Sequence, residues 1–494
     1  MKAICGAFWS RIRAAGAVLV GASAAWACAG CIGPTYHRPQ VALPSQWGTD
    51  AAAHSEWPNA NWWHLFGSST LEHYLTAAQI GSDDIAAAVA RVGEAEAQAR
   101  IAGAPLYPAV GASAEALRLR AFSPGGGSRQ VTLGGGTVNT SSSSGSPFIY
   151  TEFTPQLSAS YVLDFWGKNR ATHAAALLQA QASRYDRQTV VLTVTSDVAQ
   201  SYFQALETHD LLQVAQNNLN NAQHILDGLQ LEQQVGTVTA LDVAQQAAVV
   251  GAVNASIPPL VQQLRVSMDA LAVLLGELPG TLPLPETGLD KVTLPPVIEG
   301  LPSQLLARRP DIAAAEAQLH AANANITVAR AAFFPNVALT ASGGYASSIL
   351  YNLLVPSARV FALTGTVTQD IFEGGALRGQ VQYSHARYAE LLADYHKAVI
   401  SALSDVENAL IAVQQIDEQQ RRQQVATDEA QRAFDFAQQQ MAAGTTNILT
   451  VLITENTLFT AEDQLVVVKF QHLQALLQLY QALGGGWEAS QESL

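Results

Sequence analysis

The chain has 494 residues, of which 49% are hydrophobic and only 13% charged, and 26 basic against 40 acidic side chains give a formal net charge of −14. That acidity disfavours nucleic acid and anionic membrane surfaces as partners. Beyond the N-terminus there is no run of about 18 apolar residues, which excludes a spanning helix in the processed chain.

Residues 1–30 read as an export signal: Lys2, Arg11 and Arg13 precede an apolar stretch from Ala14 to Ala27. The stretch ends at Cys28-Ala29-Gly30-Cys31. Small residues before a cysteine resemble the bacterial lipoprotein processing box, so Cys31 is the expected lipidation site, although Cys28 stands where that box usually has an aliphatic residue. Ordinary cleavage nearby is the alternative. Ile32, rather than Asp, implies sorting to the outer membrane. Cys5 and Cys28, the other cysteines, leave with the signal, so no internal disulfide is expected. Losing Lys2, Arg11 and Arg13 leaves 23 basic against 40 acidic residues, a net charge of −17. Both a cation-preferring conduit and a merely soluble acidic surface fit that balance.

After an N-terminal segment at 31–80, a first repeat is expected at 81–277, comprising a helix, a β-hairpin over 108–165 and a long helical hairpin over 167–277. A first strand begins at Pro108 and runs through Arg118. Gly125-Gly126-Gly127, Gly134-Gly135-Gly136 and Ser141 to Ser144 predict a flexible polar loop. A second strand follows, with Phe153, Pro155, Leu157, Ala159, Tyr161, Leu163 and Phe165 on one parity and Thr154, Gln156, Ser158 and Ser160 on the other. Such a strand, about ten residues long with one apolar face, is the weak signature of a transmembrane β-strand. A soluble two-sided sheet is the alternative.

No proline occurs from Gln156 to Ile257 or after Pro356, and the stretch from Gly167 to Gly236 is rich in Ala, Gln, Leu and Glu. A helix of about 70 residues, roughly 100 Å long, is predicted. Gly236-Thr237-Val238-Thr239 predicts a hairpin turn, with glycine at positive φ and a hydroxyl capping the returning helix. That returning helix is expected to break at Pro258-Pro259 and resume to Leu275-Gly276.

A linker at 278–300 leads to a second repeat at 301–484, with a β-hairpin over 335–372, a long helical hairpin over 374–484 and a tail at 485–494. Its strands run from Asn336 to Ser342 and from Phe361 to Thr368. Its long helix spans Gly374 to Gly444 and carries Leu403, Val406, Leu410 and Val413 at coiled-coil spacing. Its turn is Gly444-Thr445-Thr446-Asn447. The two copies share short blocks of sequence at fixed offsets. Ser196-Asp197-Val198 recurs as Ser404-Asp405-Val406 at an offset of 208, and Asp84-Ile85-Ala86-Ala87-Ala88 as Asp311-Ile312-Ala313-Ala314-Ala315 at 227. The difference puts about 20 extra residues into the first copy between Ala114 and Asp164. Four strands cannot close a membrane barrel, so if they span, the chain is an oligomer.

The chain resembles the outer-membrane factors of bacterial tripartite efflux systems, the TolC-like and especially the OprM-like lipoprotein channels. The resemblance rests on Cys31-Ile32-Gly33-Pro34-Thr35-Tyr36, Trp62-Trp63, Asp164-Phe165-Trp166-Gly167, Ile371-Phe372-Glu373-Gly374-Gly375, Leu458-Phe459-Thr460-Ala461 and Ala482-Leu483-Gly484-Gly485-Gly486-Trp487. It implies an α+β membrane protein: a homotrimer whose protomers each give four strands to a twelve-stranded barrel, with coiled-coil hairpins forming a periplasmic α-barrel. It also implies a lipid-anchored protein in the outer membrane that reaches into the periplasm. The segments Trp57 to Gln79, Leu278 to Gly300 and the tail after Gly486 would form a belt around the tunnel. The implied partners are outer-membrane lipid, a periplasmic adaptor (membrane fusion) protein and an inner-membrane proton-coupled RND transporter. The implied function is passive export of small molecules such as drugs.

In that family a leucine and an aspartate four residues on narrow the periplasmic mouth. Leu449 fits the leucine, but Ile453 holds the aspartate position. The expectation here is an apolar gate of Leu449 and Ile453, with Asp242 and Glu455 the nearby acids and Gly236, Thr237, Gly444 and Thr445 the adaptor-contacting tips. The alternative for Ile453 is packing in the helix seam. Type I protein secretion is the second functional expectation and a lipid-anchored coiled-coil scaffold a distant third. No catalytic constellation, metal-ligand spacing or cofactor loop stands out; His209-Asp210 and Tyr395-His396 read as packed or solvated helix positions.

Overall fold

The computed structural model describes residues 33–44, 46–48, 57–59, 61–122, 127–133, 136–142, 147–297 and 302–487. Cys31 and the signal segment lie outside them. In chain order come α1 (Ser69–Gly81), α2 (Asp83–Gly103), β1 (Ala109–Phe122), β2 (Gly127–Leu133), β3 (Gly136–Ser142), β4 (Pro147–Leu163), α3 (Lys168–Gln234) and α4 (Ala240–Leu275). The single turn α5 (Leu305–Arg308) precedes α6 (Pro310–Ala331), β5 (Asn336–Tyr345), β6 (Arg359–Thr368), α7 (Ala376–Ala442) and α8 (Ile448–Ala482). The chain forms two compact units, each drawing on both sequence copies.

One unit holds Glu96–Leu177 and His320–Ala389 with the segment up to Tyr36. Its sheet runs in the order β1-β4-β5-β6, antiparallel throughout, with Ala109 opposite Ser160, Leu163 opposite Val337 and Asn336 opposite Thr368. Among the described residues the outer strands β1 and β6 each have one neighbour in this sheet, leaving two free edges. Leu157, Leu339, Phe361, Leu363 and Val367 are exposed on it, which suits a surface covered by something other than water. The Asp164-Phe165-Trp166-Gly167 motif makes the step from strand to helix. Asp164 accepts from the backbone amides of Asn169 and Arg170 at 3.1 and 2.9 Å, satisfying donors that the first turn of α3 leaves over. The Trp166 indole donates to the Pro335 carbonyl at 2.8 Å and stacks on Phe334.

Two expectations need correcting in this unit and its neighbour. The glycine-rich stretch of the first copy is not wholly loop: β2 and β3 pair from Gly127 opposite Ser142 to Leu133 opposite Gly136. That pairing satisfies backbone amides and carbonyls of both stretches, which a loop would leave to solvent. The break at Pro258-Pro259 is also absent, because α4 runs through both prolines. They deprive the carbonyls of Asn254 and Ala255 of amide donors, but both residues are exposed, so water serves instead and the helix continues.

The second unit holds His37–Ala95, Leu178–Leu319 and Glu390–Leu494. Its main core gathers Trp62, Phe66, Leu71, Phe203, Leu271 and Tyr480, with Trp62 stacked on Tyr480 at 5.2 Å. Tyr480 donates to the Pro296 carbonyl at 3.0 Å, and the Leu289 amide donates to Asp210 at 2.9 Å, so the inter-repeat segment is pinned to α8 and α3. Asp210 thus has a packing role, and Tyr395 is fully buried. α3 and α7 each span 67 residues, roughly 100 Å. Val406, Leu410 and Val413 of α7 are buried as a seam, the apolar stripe that keeps such a helix ordered. The returning helices end alike. Gly276 and Gly484 have φ of 74° and 88°, and a Cβ on either would run into the carbonyl of Gly81 or Arg308 respectively.

Candidate gate at the hairpin turns

The two turns use the same bonds. In the first, Gly236 has φ 80° and Thr237 donates through its amide and its hydroxyl to the Glu232 carbonyl, at 3.0 and 2.9 Å. In the second, Gly444 has φ 68° and Thr445 donates likewise to the Gln440 carbonyl, at 2.9 and 3.0 Å. Only glycine takes this left-handed position without cost, and the threonine satisfies a carbonyl that the helix end leaves over.

Beyond the turns the copies diverge. Thr239 and Asp242 form a reciprocal capping box on α4: Asp242 accepts the Thr239 amide at 2.8 Å, and Thr239 Oγ1 accepts the Asp242 amide at 3.3 Å. At the start of α8 only Asn447 caps, accepting the Thr450 amide at 3.2 Å. Leu449 and Ile453 follow, four residues apart on one face of α8, 52% and 58% exposed. Ile453 is therefore not spent in a seam within the protomer. Of the two acids, Asp242 is held in the cap of the other hairpin. Glu455 is fully buried on another face of α8, where burial pushes its carboxyl up to about 7 against a hydrogen bond from Gln246 that lowers it. The structure thus joins Leu449 to Ile453 and separates both acids from them.

Gln246 went unremarked in the sequence, and it is the residue that meets Glu455. The signal available was one polar side chain at Val243-to-Val250 spacing, inside a stripe that otherwise packs. Among the described residues, no three His, Cys, Asp or Glu side chains cluster as a metal site, and no helix is long and apolar enough to cross a membrane.

An open sheet with two free edges, apolar side chains facing outward and two helical hairpins of this length define a channel protein of the TolC-like class. The chain belongs to the outer membrane efflux protein family, whose model matches residues 75–277 and 301–485. It is 40% identical over 457 residues to the pyoverdine export outer membrane protein OpmQ of Pseudomonas aeruginosa, covering 92% of this chain and 93% of the relative. It is 30% identical over 473 residues to the cation efflux system protein CusC of Escherichia coli, covering 94% and 97%. Its fold matches that of the outer-membrane channel OprN with a TM-score of 0.84 at 24% identity, over 92% of this chain and all of that one. The four strands are the protomer's share of a trimeric twelve-stranded barrel, and the hairpins build the periplasmic α-barrel. The protein is an outer-membrane exit duct of an efflux system, in a family of conduits rather than enzymes.

Proposed function

We propose that this duct is shut at its hairpin-turn end by an apolar ring of three Leu449 and three Ile453 side chains, and opens when the second hairpin swings outward. The observation that carries this is the exposed Leu449-Ile453 pair on a helix whose remaining faces are packed. An apolar constriction excludes hydrated solutes by dewetting, with no need for an acidic ring. In the same reading the turns at Gly236-Thr237 and Gly444-Thr445 meet a periplasmic adaptor, an inner-membrane RND transporter supplies the driving force, and acylated Cys31 anchors the N-terminus.

The substrate class is a small molecule. OpmQ is named for pyoverdine export and CusC for cation efflux, so one duct design serves unlike cargo and selection belongs to the pump. Single-channel recording tests the gate: Ile453→Ala and Ile453→Asp are expected to raise closed-state leakage, the aspartate more. Unchanged leakage in both would remove the gate from this position.

A further inference from the structure

Gln246 of α4 and Glu455 of α8 are both 0% exposed. Gln246 donates through Nε2 to the Ala222 carbonyl of α3 at 3.0 Å and to Glu455 Oε1 at 3.5 Å. One buried amide therefore bridges both helices of the first hairpin to the returning helix of the second. With an ionised carboxylate the hydrogen bonds do not close. Gln246 Oε1 and Glu455 Oε2 are both buried without a partner, and both are acceptors. A buried acceptor left unsatisfied is costly, and a buried charge without a cation more so. One proton on Glu455 supplies the missing donor and removes the charge.

We propose that Glu455 is a proton-operated latch: as a neutral carboxyl it holds the second hairpin to the first through Gln246, and its ionisation frees α8 to move. In the shut form the carboxyl O–H donates to Gln246 Oε1 while Gln246 Nε2 donates back. On opening, the proton goes to water and the carboxylate follows it toward solvent. The latch rests on the reading that the second hairpin carries the gate.

The groups around Glu455 leave it little alternative. From α4 comes Gln246, from α3 the Ala222 carbonyl, and the core of this segment is apolar, with Leu229, Ala430, Phe434 and Val451. Burial is the main cause of its raised pKa, and no charged side chain contributes. On α8 the next acids are Glu462 and Asp463, also raised chiefly by burial, with Glu462 hydrogen-bonded to Asn218 of α3. Glu462 is only partly buried as a residue, although its Oε2 is enclosed without a partner, and it makes no hydrogen bond to Gln246, which meets Glu455. Because the carboxyl's pKa in the shut form lies above its ordinary 4.5, at about 7, the latch is fully engaged below about pH 4.5. It is lost as pH rises through about 7.

The trimer reconstituted in planar bilayers gives the test, with closed-state leakage recorded between about pH 5.5 and 8.5. Leakage of the unaltered protein is expected to rise several-fold with a midpoint near 7. Glu455→Gln, whose amide can donate to Gln246 at any pH, is expected to stay tight throughout. Gln246→Ala keeps the carboxyl and removes the bridge, and should leak already at about pH 6. Glu207, another carboxyl that burial pushes up to about 7, is the control, and Glu207→Gln should retain the step. A flat profile in the unaltered protein overturns the latch, as does a step that survives in Glu455→Gln or vanishes in Glu207→Gln. The gate reading fails separately: a step abolished by Glu455→Gln beside unaltered leakage in the Ile453 variants would keep the latch and move the constriction.

Discussion

At the root of the second hairpin a cation sits between two acids, and at the root of the first the acids face each other without it. Arg309 donates to Asp311 at 2.7 Å, to Asp405 at 3.1 Å and to the Ala482 carbonyl at the end of α8 at 3.1 Å. Its side chain is 13% exposed. Burial alone would lower the guanidinium's pKa, and the bonds to Asp311 and Asp405 outweigh it and raise it. The repeat offsets put Ser82, Asp84 and Asp197 at the corresponding places in the first copy. There burial, and then the charge of Asp84, push the Asp197 carboxyl up. The tips reverse the pattern. The first hairpin turn ends in a reciprocal capping box, whereas the second has one asparagine cap and an exposed apolar pair. The second hairpin thus has the stronger polar anchor at its root and the weaker cap at its tip.

That contrast can be broken at its strongest point first. Arg309→Ala leaves Asp311 and Asp405 without their cation and should cost about 2 kcal/mol per protomer, below the roughly 3–5 kcal/mol of a buried pair because both acids are partly wet. Thermal unfolding of the detergent-solubilised trimer measures it, and a loss below about 0.5 kcal/mol would show that the root is not held there. At the tips, Thr239→Ala removes the hydroxyl half of the capping box and should cost about 1 kcal/mol, and Asn447→Ala somewhat less. Equal or reversed costs would erase the difference between the turns. The smallest effect is expected at Asp84→Asn, where relief of repulsion on Asp197 is offset by the lost charge at the start of α2, for a net change within about 0.5 kcal/mol. The readout there is the Asp197 titration, which should move down toward an ordinary carboxylate.

Much of the architecture is legible before folding. Long proline-free stretches, the repeat offsets, and glycine followed by threonine at both turns act through local geometry, so they survive without knowledge of what packs on what. The α4 prolines misled because a proline's cost depends on whether the carbonyls it orphans are wet, and exposure is not a local property. The glycine-rich stretch misled because β2 and β3 satisfy each other's backbone, which composition does not reveal.

By itself the sequence determined the duplication and the strand and helix periods, carried by spacing along one chain, while its resemblance to a family supplied the apolar pair Leu449-Ile453. Tertiary structure alone decided the setting of Glu455, whereas Asp242 is held locally by Thr239. Asp242 and Glu455 lie near the two turns in sequence, yet one is spent on a helix cap and the other is buried against Gln246, 209 positions away. Charge is read from sequence at once, but its energy depends on solvent and partners, and only packing between the two hairpins sets those.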